Sequence, residues 1–423
     1  MNIKQILTAL PEPSEKRLAL RVHPAAERAI RSGHPWLFES GIRQQSHDGR
    51  SGDLAVIFDR KRRFLAIGLY DPASPIRVRI LAQGKPTQIG ADWFLSRLET
   101  AASLRAPLLQ TETTGYRLLH GENDGLPGLI IDRYASTFVL KLYTTAWMPH
   151  LPQILRGLAA TSAGSAQAIS QPERIVLRLS RFVQRQTESL FGFAEGQMLL
   201  GDSFDGSVRF LENGLAFAAD VVKGQKTGFF LDQRDNRAKV EQLAAGKRVL
   251  NVFAYTGGFS LYAARGGATE VVSLDISKPA LADAARNFAL NQANKQVAAA
   301  RHELLAGDAF EEMKRLAVNG RSFGMVIIDP PAFAKRKDEV EGAMAAYGRL
   351  VRLGLQLLYP GGILVMASCS SRVSAAQFFG LVHRVAREVK RPLREIERTG
   401  HALDHPISFP EGTYLKCLFA VAP

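Results

Sequence analysis

From about Phe210 onward the chain alternates apolar runs of strand length with segments whose apolar residues recur at helical spacing, and nothing else constrains its fold as strongly. RVLNVFAY (248–255), TEVVSLD (269–275), AARHELLAGDA (299–309), FGMVIIDPP (323–331) and GGILVMASCS (361–370) are the strand candidates. FSLYAARGG, KPALADAARNFALNQAN, FEEMKRLA and MAAYGRLVRLGLQLLY, which lie between them, carry the helical period. Strict succession of this kind predicts a doubly wound, mostly parallel sheet. Ligands of such sheets bind beyond the carboxyl ends of the strands, so the residues just after each strand are the ones to examine.

The first strand runs into Thr256-Gly257-Gly258-Phe259-Ser260, where glycine lets a ligand approach the backbone in front of a helix N-terminus. Glycine pairs are common in such turns, and alone this says little. Asp275 closes the next strand, where a carboxylate hydrogen-bonds ribose hydroxyls in dinucleotide-binding domains and S-adenosylmethionine (SAM) methyltransferases alike. Asp308 follows the third strand, placed to accept from an adenine amino group. Glycine, acid and acid at three successive strand ends make a nucleoside-bearing cofactor the natural expectation.

The fourth strand ends in Asp329-Pro330-Pro331-Ala332-Phe333. Two prolines cannot continue a central strand, so the chain leaves the sheet there with a rigid geometry. A nicotinamide enzyme has no use for that turn. An acid, two prolines and an aromatic suit the holding of a flat nucleobase, the carboxylate on its edge and Phe333 against its face. Cys369 follows the fifth strand among small polar residues, where a thiol can reach a ligand and react as thiolate. Cytosine C5 is a poor nucleophile until a thiolate adds at C6, so one cysteine opposite a base-binding acid fits 5-methylcytosine formation. Cys417, inside YLKCLFAV, reads as an inert buried residue.

With only these two cysteines, a disulfide framework is excluded and a reducing compartment, the cytoplasm, is expected. No apolar run reaches the roughly 18 residues of a membrane span, so no membrane partner is expected. The net charge is +14, divided as +7 over residues 1–105, −2 over 106–220 and +9 over 221–423, which favours a polyanionic partner at both basic ends. Between Leu18 and about Leu81, short β-type runs predict a small barrel or sandwich, with Arg60, Lys61, Arg62 and Arg63 on a hairpin turn. Such clusters are usually plain solvated turns. Together with Arg77, Arg79 and an exposed Trp36, this one reads as a nucleic-acid face. Residues 92–107 predict a connecting helix, and GLIIDRY, TFVLKLY and RIVLRLS are strands of a central α+β unit, with 160–170 as a small-residue loop. The basic stretch 383–398 reads as a solvated helix. His34 and His120 read as structural, and no ligand spacing predicts a metal.

KTGFFLDQRDNR (226–237), VLNVFAYTGGFS (249–260), DPPAF (329–333), SCS (368–370) and DHPISFPEGTYLK (404–416) together resemble the ribosomal RNA large subunit methyltransferase I family. GHPWLFES (33–40) through SPIRVRIL (74–81) looks like that family's PUA domain, and HGENDGLPGLIIDRY (120–134) like its central domain. The resemblance implies an α/β architecture of three parts: a β-rich PUA domain (1–92), a central α+β domain (93–207) and a Rossmann-like class I methyltransferase domain (208–423). It implies SAM-dependent methylation of C5 of one cytosine in 23S ribosomal RNA. Cys369 would be the nucleophile, Asp329 would orient and protonate the base at N3, and Pro330, Phe333, Arg60, Arg62 and Arg63 would contact RNA. Asn251, Tyr255, Gly257, Asp275 and Asp308 would line the SAM pocket, with Phe230, Asp232, Gln233 and Arg234 capping it.

The chain departs from the family at Ala332, where many relatives carry Lys. The second cysteine of better-known RNA cytosine methyltransferases is replaced by Pro330 and Pro331, leaving the base that removes the C5 proton unassigned. Family habit also raises a homodimer, on which no residue decides. Two other functions fit the same fold: SAM-dependent methylation of a purine nitrogen, which needs no nucleophilic cysteine, and a noncatalytic SAM-holding ribosome-assembly factor.

Overall fold

The computed structural model describes residues 10–164, 171–190 and 192–423, and the chain forms two compact units. The first takes the chain as far as Gly214, together with Ala219–Leu231 and Leu403–Phe409; the second comprises Leu215–Ala218, Asp232–Ala402 and Pro410–Pro423.

Two sheets build the first unit. Strands β1 (Leu18–Val22), β2 (Trp36–Phe38), β3 (Ile42–Gln45), β4 (Leu54–Phe58), β5 (Phe64–Tyr70) and β6 (Ile76–Gln83) lie in the order β2-β6-β5-β4-β1-β3, with only β1 and β4 parallel. Alternation buries Leu18, Leu20 and Val22 on one face of β1, as a half-buried strand requires. The basic cluster does occupy the β4–β5 turn. Trp36, expected exposed, is partly buried: its indole N–H donates to Glu122 at 2.9 Å and its ring packs on Phe409. Arg79 is likewise buried, because β6 turns that side chain inward, and it cannot belong to an RNA face.

The second sheet is β7 (Gly115–His120), β8 (Leu129–Tyr134), β9 (Thr137–Leu142), β10 (Arg174–Leu179) and β11 (Gln197–Leu200), ordered β11-β10-β9-β8-β7. Its one parallel pair, β9 with β10, is bridged by the helix Leu151–Gly164, so residues 160–164 continue a helix where a loop was expected; 165–170 lie outside the described residues. Against this sheet two buried arginines are paired, Arg117 with Asp132 at 2.7 Å and Arg105 with Asp124 at 2.7 Å. Asp404 joins them by accepting from the Arg117 backbone N–H at 2.8 Å, which gives the DHP motif a structural part, and His120 Nδ1 pairs with the Arg117 guanidinium at 3.1 Å.

A hairpin, β12 (Ser207–Glu212) and β13 (Leu215–Asp220), leads to the seven strands of the second unit. These are β14 (Arg248–Val252), β15 (Glu270–Asp275), β16 (Arg301–Ala306), β17 (Phe323–Ile328), β18 (Leu358–Ser368), β19 (Arg394–Thr399) and β20 (Lys416–Ala422), ordered β16-β15-β14-β17-β18-β20-β19. The first five are parallel; β20 inserts antiparallel between β18 and β19. This is the Rossmann-like sheet expected from the alternation. Pro392 ends the basic helix early: the helix stops at Glu388 and 394–399 form an edge strand, so the predicted helix over 383–398 is half strand. Arg391 there is spent on carbonyls, including Leu358 O at 2.7 Å, rather than offered to RNA.

Asn287 and Asn291 extend the hydrogen bonding of this unit by side chain. Asn287 Oδ1 accepts from Ala218 N and its Nδ2 donates to Thr256 O, both at 2.9 Å; Asn291 brackets Ala216 at both its N–H and its carbonyl. Asn287 is fully buried. Asn287→Ala should therefore leave the buried Thr256 carbonyl and the half-buried Ala218 N–H without their partner and lower the unfolding free energy by about 2 kcal/mol in urea titration, well beyond the loss from an exposed Asn.

Candidate active site

The strand-end residues belong to the second unit; Lys226, Phe230 and the basic turn belong to the first. The loop after β14 is backbone-strained: Phe253 and Tyr255 hold φ of 63° and 48°, conformations that bulky side chains occupy only where surrounding structure compels them. Asp275 supplies the compulsion, one carboxylate oxygen accepting from Tyr255 N and the other from Ser277 N, each at 2.8 Å. Gly257 follows at φ 77°, and a Cβ there would come within 2.8 Å of Ala284. The helix Gly258–Arg265 starts at this point, so its free N–H groups face the strand ends.

Beneath the loop, a chain of hydrogen bonds crosses three strands. Asn251 Nδ2 donates to Ser260 Oγ at 2.9 Å, Ser260 Oγ pairs with Ser273 Oγ at 2.7 Å, and Ser273 Oγ pairs with His302 Nε2 at 2.9 Å. Asn251 Oδ1 and Thr256 Oγ1 are nevertheless buried without a hydrogen-bond partner. Orphaned buried acceptors at a strained, glycine-bearing strand end fit a ligand with polar groups. Asp308 caps the helix Ala309–Val318 through Oδ1, accepting from Phe310 N and Glu311 N, and is exposed. Ile276, 74% exposed beside Asp275, adds an apolar surface that the sequence reading missed. These residues fit an adenosine-bearing cofactor.

The capping residues divide. Phe230 stands in the first unit with the Lys226 ammonium 4.4 Å over its ring. Asp232, Gln233 and Arg234 are buried in the second, Asp232 accepting from Tyr414 Oη at 2.8 Å. Gln233 turns toward the acceptor side: its Nε2 donates to Asp329 Oδ2 at 2.9 Å, and Asn236 in turn holds Gln233 Oε1 at 2.5 Å. The carboxylate is thus aligned by an amide that is itself held.

The acceptor side is formed by two neighbouring turns. Cys369 Sγ donates to Pro330 O at 3.8 Å, and Ala334 N donates to Ser370 Oγ at 3.4 Å, so the cysteine turn is tied to the Asp-Pro-Pro turn. Cys369 and Asp329 are partly exposed, whereas Cys417 is sealed and burial pushes its thiol well up. Tyr347 Oη pairs with Ser368 Oγ and Ser370 Oγ at 2.9 and 3.0 Å, bracketing the cysteine, and burial raises its phenol above the ordinary value. Phe333 packs on Tyr347, ring centres 5.1 Å apart. Lys416, also missed by the sequence reading, anchors the turn from β20. Among the described residues, no group of three or more His, Cys, Asp or Glu could hold a metal ion.

In the first unit, Asp59 accepts from the backbone N–H groups of Arg63 and Lys61 and holds the Arg63 and Arg31 guanidiniums; the Arg63 backbone bond foremost holds its carboxyl below the usual range. Arg60, Lys61 and Arg62 are exposed with no ion-pair partner among the described residues. Arg62 borders a cavity of about 310 Å³ lined also by Arg21, Gln44 and Phe58, with Arg21 Nε buried and unbonded.

Residues 116–420 match the model of the S-adenosylmethionine-dependent methyltransferase family, and residues 20–83 match a PUA-like domain. The chain is 50% identical over 414 residues to a ribosomal RNA large subunit methyltransferase of Deinococcus radiodurans, covering 97% of this chain and 98% of that one. It is 38% identical over 394 residues to the ribosomal RNA large subunit methyltransferase I of Photobacterium profundum, covering 92% and 96%. Among solved structures, a SAM-dependent methyltransferase from Streptococcus mutans shares the fold at TM-score 0.77 and 22% identity, covering 96% of this chain and 100% of that one. Another, solved with S-adenosylhomocysteine, matches at 0.78, 22% and the same coverage.

The His302 ring stacks on Phe288 with centres 3.6 Å apart, and burial pulls its pKa down to about 4. The unfolded chain binds this proton near pH 6.5. Stability is therefore full above pH 6.5, falls as pH drops, and loses up to about 3 kcal/mol by pH 4. In urea titrations at pH 7 and 4.5, His302→Gln should show a shallower loss than the wild type.

Proposed function

The chain belongs to the ribosomal RNA large subunit methyltransferase I family of SAM-dependent methyltransferases, and from that premise we propose that it methylates C5 of a cytosine in 23S ribosomal RNA through a covalent bond to Cys369. The observation that carries the choice of atom is the tie between the two turns: Cys369 Sγ lies 3.8 Å from the carbonyl of Pro330, the residue after Asp329. A nucleophile and a base-reading carboxylate on adjoining parallel strands serve opposite edges of one flat ring. Methylation at a purine nitrogen would leave the thiol without work.

The Cys369 thiolate adds to C6, forming a C–S bond, while protonated Asp329 gives its proton to N3 and the displaced electron pair makes C5 enamine-like. Bound SAM would supply a methyl group on a positively charged sulfur, the C5–CH3 bond forming as the S–CH3 bond breaks and S-adenosylhomocysteine leaves. Loss of the C5 proton to a base then restores the C5=C6 bond as the thiolate leaves, and Asp329 recovers its proton from N3. Gln233 orients Asp329 by donating to its Oδ2. Asn251, Tyr255, Gly257, Asp275 and Asp308 hold the cofactor. Arg60 and Arg62, with Arg63 partly neutralised by Asp59, give the PUA-like domain its RNA contact. Among the described residues no helix is long and apolar enough to cross a membrane, and a ribosomal RNA substrate supports a cytoplasmic setting.

In single-turnover assays on 23S RNA, Cys369→Ala should lose more than about a thousandfold in rate while still binding SAM. Normal turnover by that variant, or a methylated purine as the wild-type product, overturns the assignment. Arg60→Ala/Arg62→Ala should weaken RNA binding and reduce the log–log salt slope by up to about 2. An unchanged slope removes the turn from the RNA track.

A further inference from the structure

The turn that carries Cys369 is held by a buried ammonium without a carboxylate. Lys416 lies opposite Ser368 in the β18–β20 register and is only 4% exposed. Its Nζ donates to Ser370 O at 2.7 Å and Val373 O at 2.8 Å, and no salt bridge reaches it among the described residues. Burying an ammonium without an anion is costly, and two neutral carbonyls offset only part of that cost. Burial accordingly pulls its pKa down to about 8, while the neighbouring Cys369 sulfur opposes the shift.

The cysteine faces the converse problem. As a thiol it donates to Pro330 O; as a thiolate it meets that same carbonyl dipole, and Asp329 stands one residue before Pro330. Of the other titratable groups nearby, Tyr347 from the helix Val340–Leu357 packs on the turn with its phenol neutral, and Cys417, next to Lys416 on β20, is sealed and neutral. Arg372, in the same turn, is exposed and therefore screened by solvent. The buried cation lacks an anion, and the nucleophile must become one.

We propose that Lys416 is a positioning residue that fixes the Cys369 turn through two carbonyls and favours the thiolate with its buried positive charge. The reading rests on Cys369 being the nucleophile, but the two fail separately: thiol acidity is measured without RNA or methyl transfer.

The test is the pH dependence of iodoacetamide alkylation at Cys369 in the full-length protein, followed on the Cys369 peptide by mass spectrometry. In the wild type the midpoint should lie below the ordinary thiol value of about 8.5. Lys416→Met should raise it by about one unit, slowing alkylation at pH 7.5 about tenfold, and Lys416→Arg, which keeps the charge, should restore most of the rate. A wild-type midpoint at or above the ordinary value overturns the proposal. So does an unchanged midpoint in Lys416→Met with SAM binding intact, which leaves Lys416 a plain structural anchor. If Lys416→Met does not fold, the wild-type midpoint and Lys416→Arg decide.

Discussion

Everything at the site depends on parallel register across three strands. Val252 of β14 pairs with Ile328 of β17, and Ile328 pairs with Met366 of β18. Because the strands run the same way and end within two residues of one another, the loop after β14, the Asp329 turn and the Cys369 turn leave the sheet from one edge. Consecutive residues of β14, β17 and β18 are buried on both faces of the sheet, so a register slip would have to repack the side chains on both sides at once. The hydrophobic core thus sets where the turns leave the sheet, and Phe333 of the Asp-Pro-Pro turn packs against it.

How much of this was legible in the sequence follows from how local each signal is. Asp275 ends its strand, Asp329 and Cys369 follow theirs directly, and Gly257 and Asp308 stand in the turns just beyond, so finding the strands finds them. Trp36 and Arg79 misled because exposure depends on what packs over a strand, and Glu122 and Phe409, which engage Trp36, are remote in sequence. The second half of the 383–398 segment was misread because helical spacing was carried past Pro392 into a short edge strand. Gln233 was assigned to the cofactor by motif alone; its bond to Asp329 spans 96 positions of chain, which no local pattern reports. Lys416 stayed hidden for the same reason, its role set by pairing with a strand far upstream.

The closing motif DHPISFPEGTYLK shows how one stretch can serve two cores. Its first part, within Leu403–Phe409, belongs to the first unit, where Asp404 completes the arginine network; its last part returns to the second unit and delivers Tyr414 to Asp232 and Lys416 to the cysteine turn. A stretch read as one signature is therefore two independent packing solutions joined by a few residues. Substitutions at its two ends act through different cores.

The insertion of β20 between β18 and β19 also dictates an order of assembly. β19 is made before β20, yet its only neighbour in the sheet is β20, so until Lys416–Ala422 docks, both β18 and β19 present unpaired backbone edges. Such edges are where nascent chains stick to one another, and the closing pairing is long-range and slow to find. The same docking brings the ammonium to the cysteine turn. The pairing that joins β18 to β19 and the pairing that seats Lys416 on the Cys369 turn are thus one and the same.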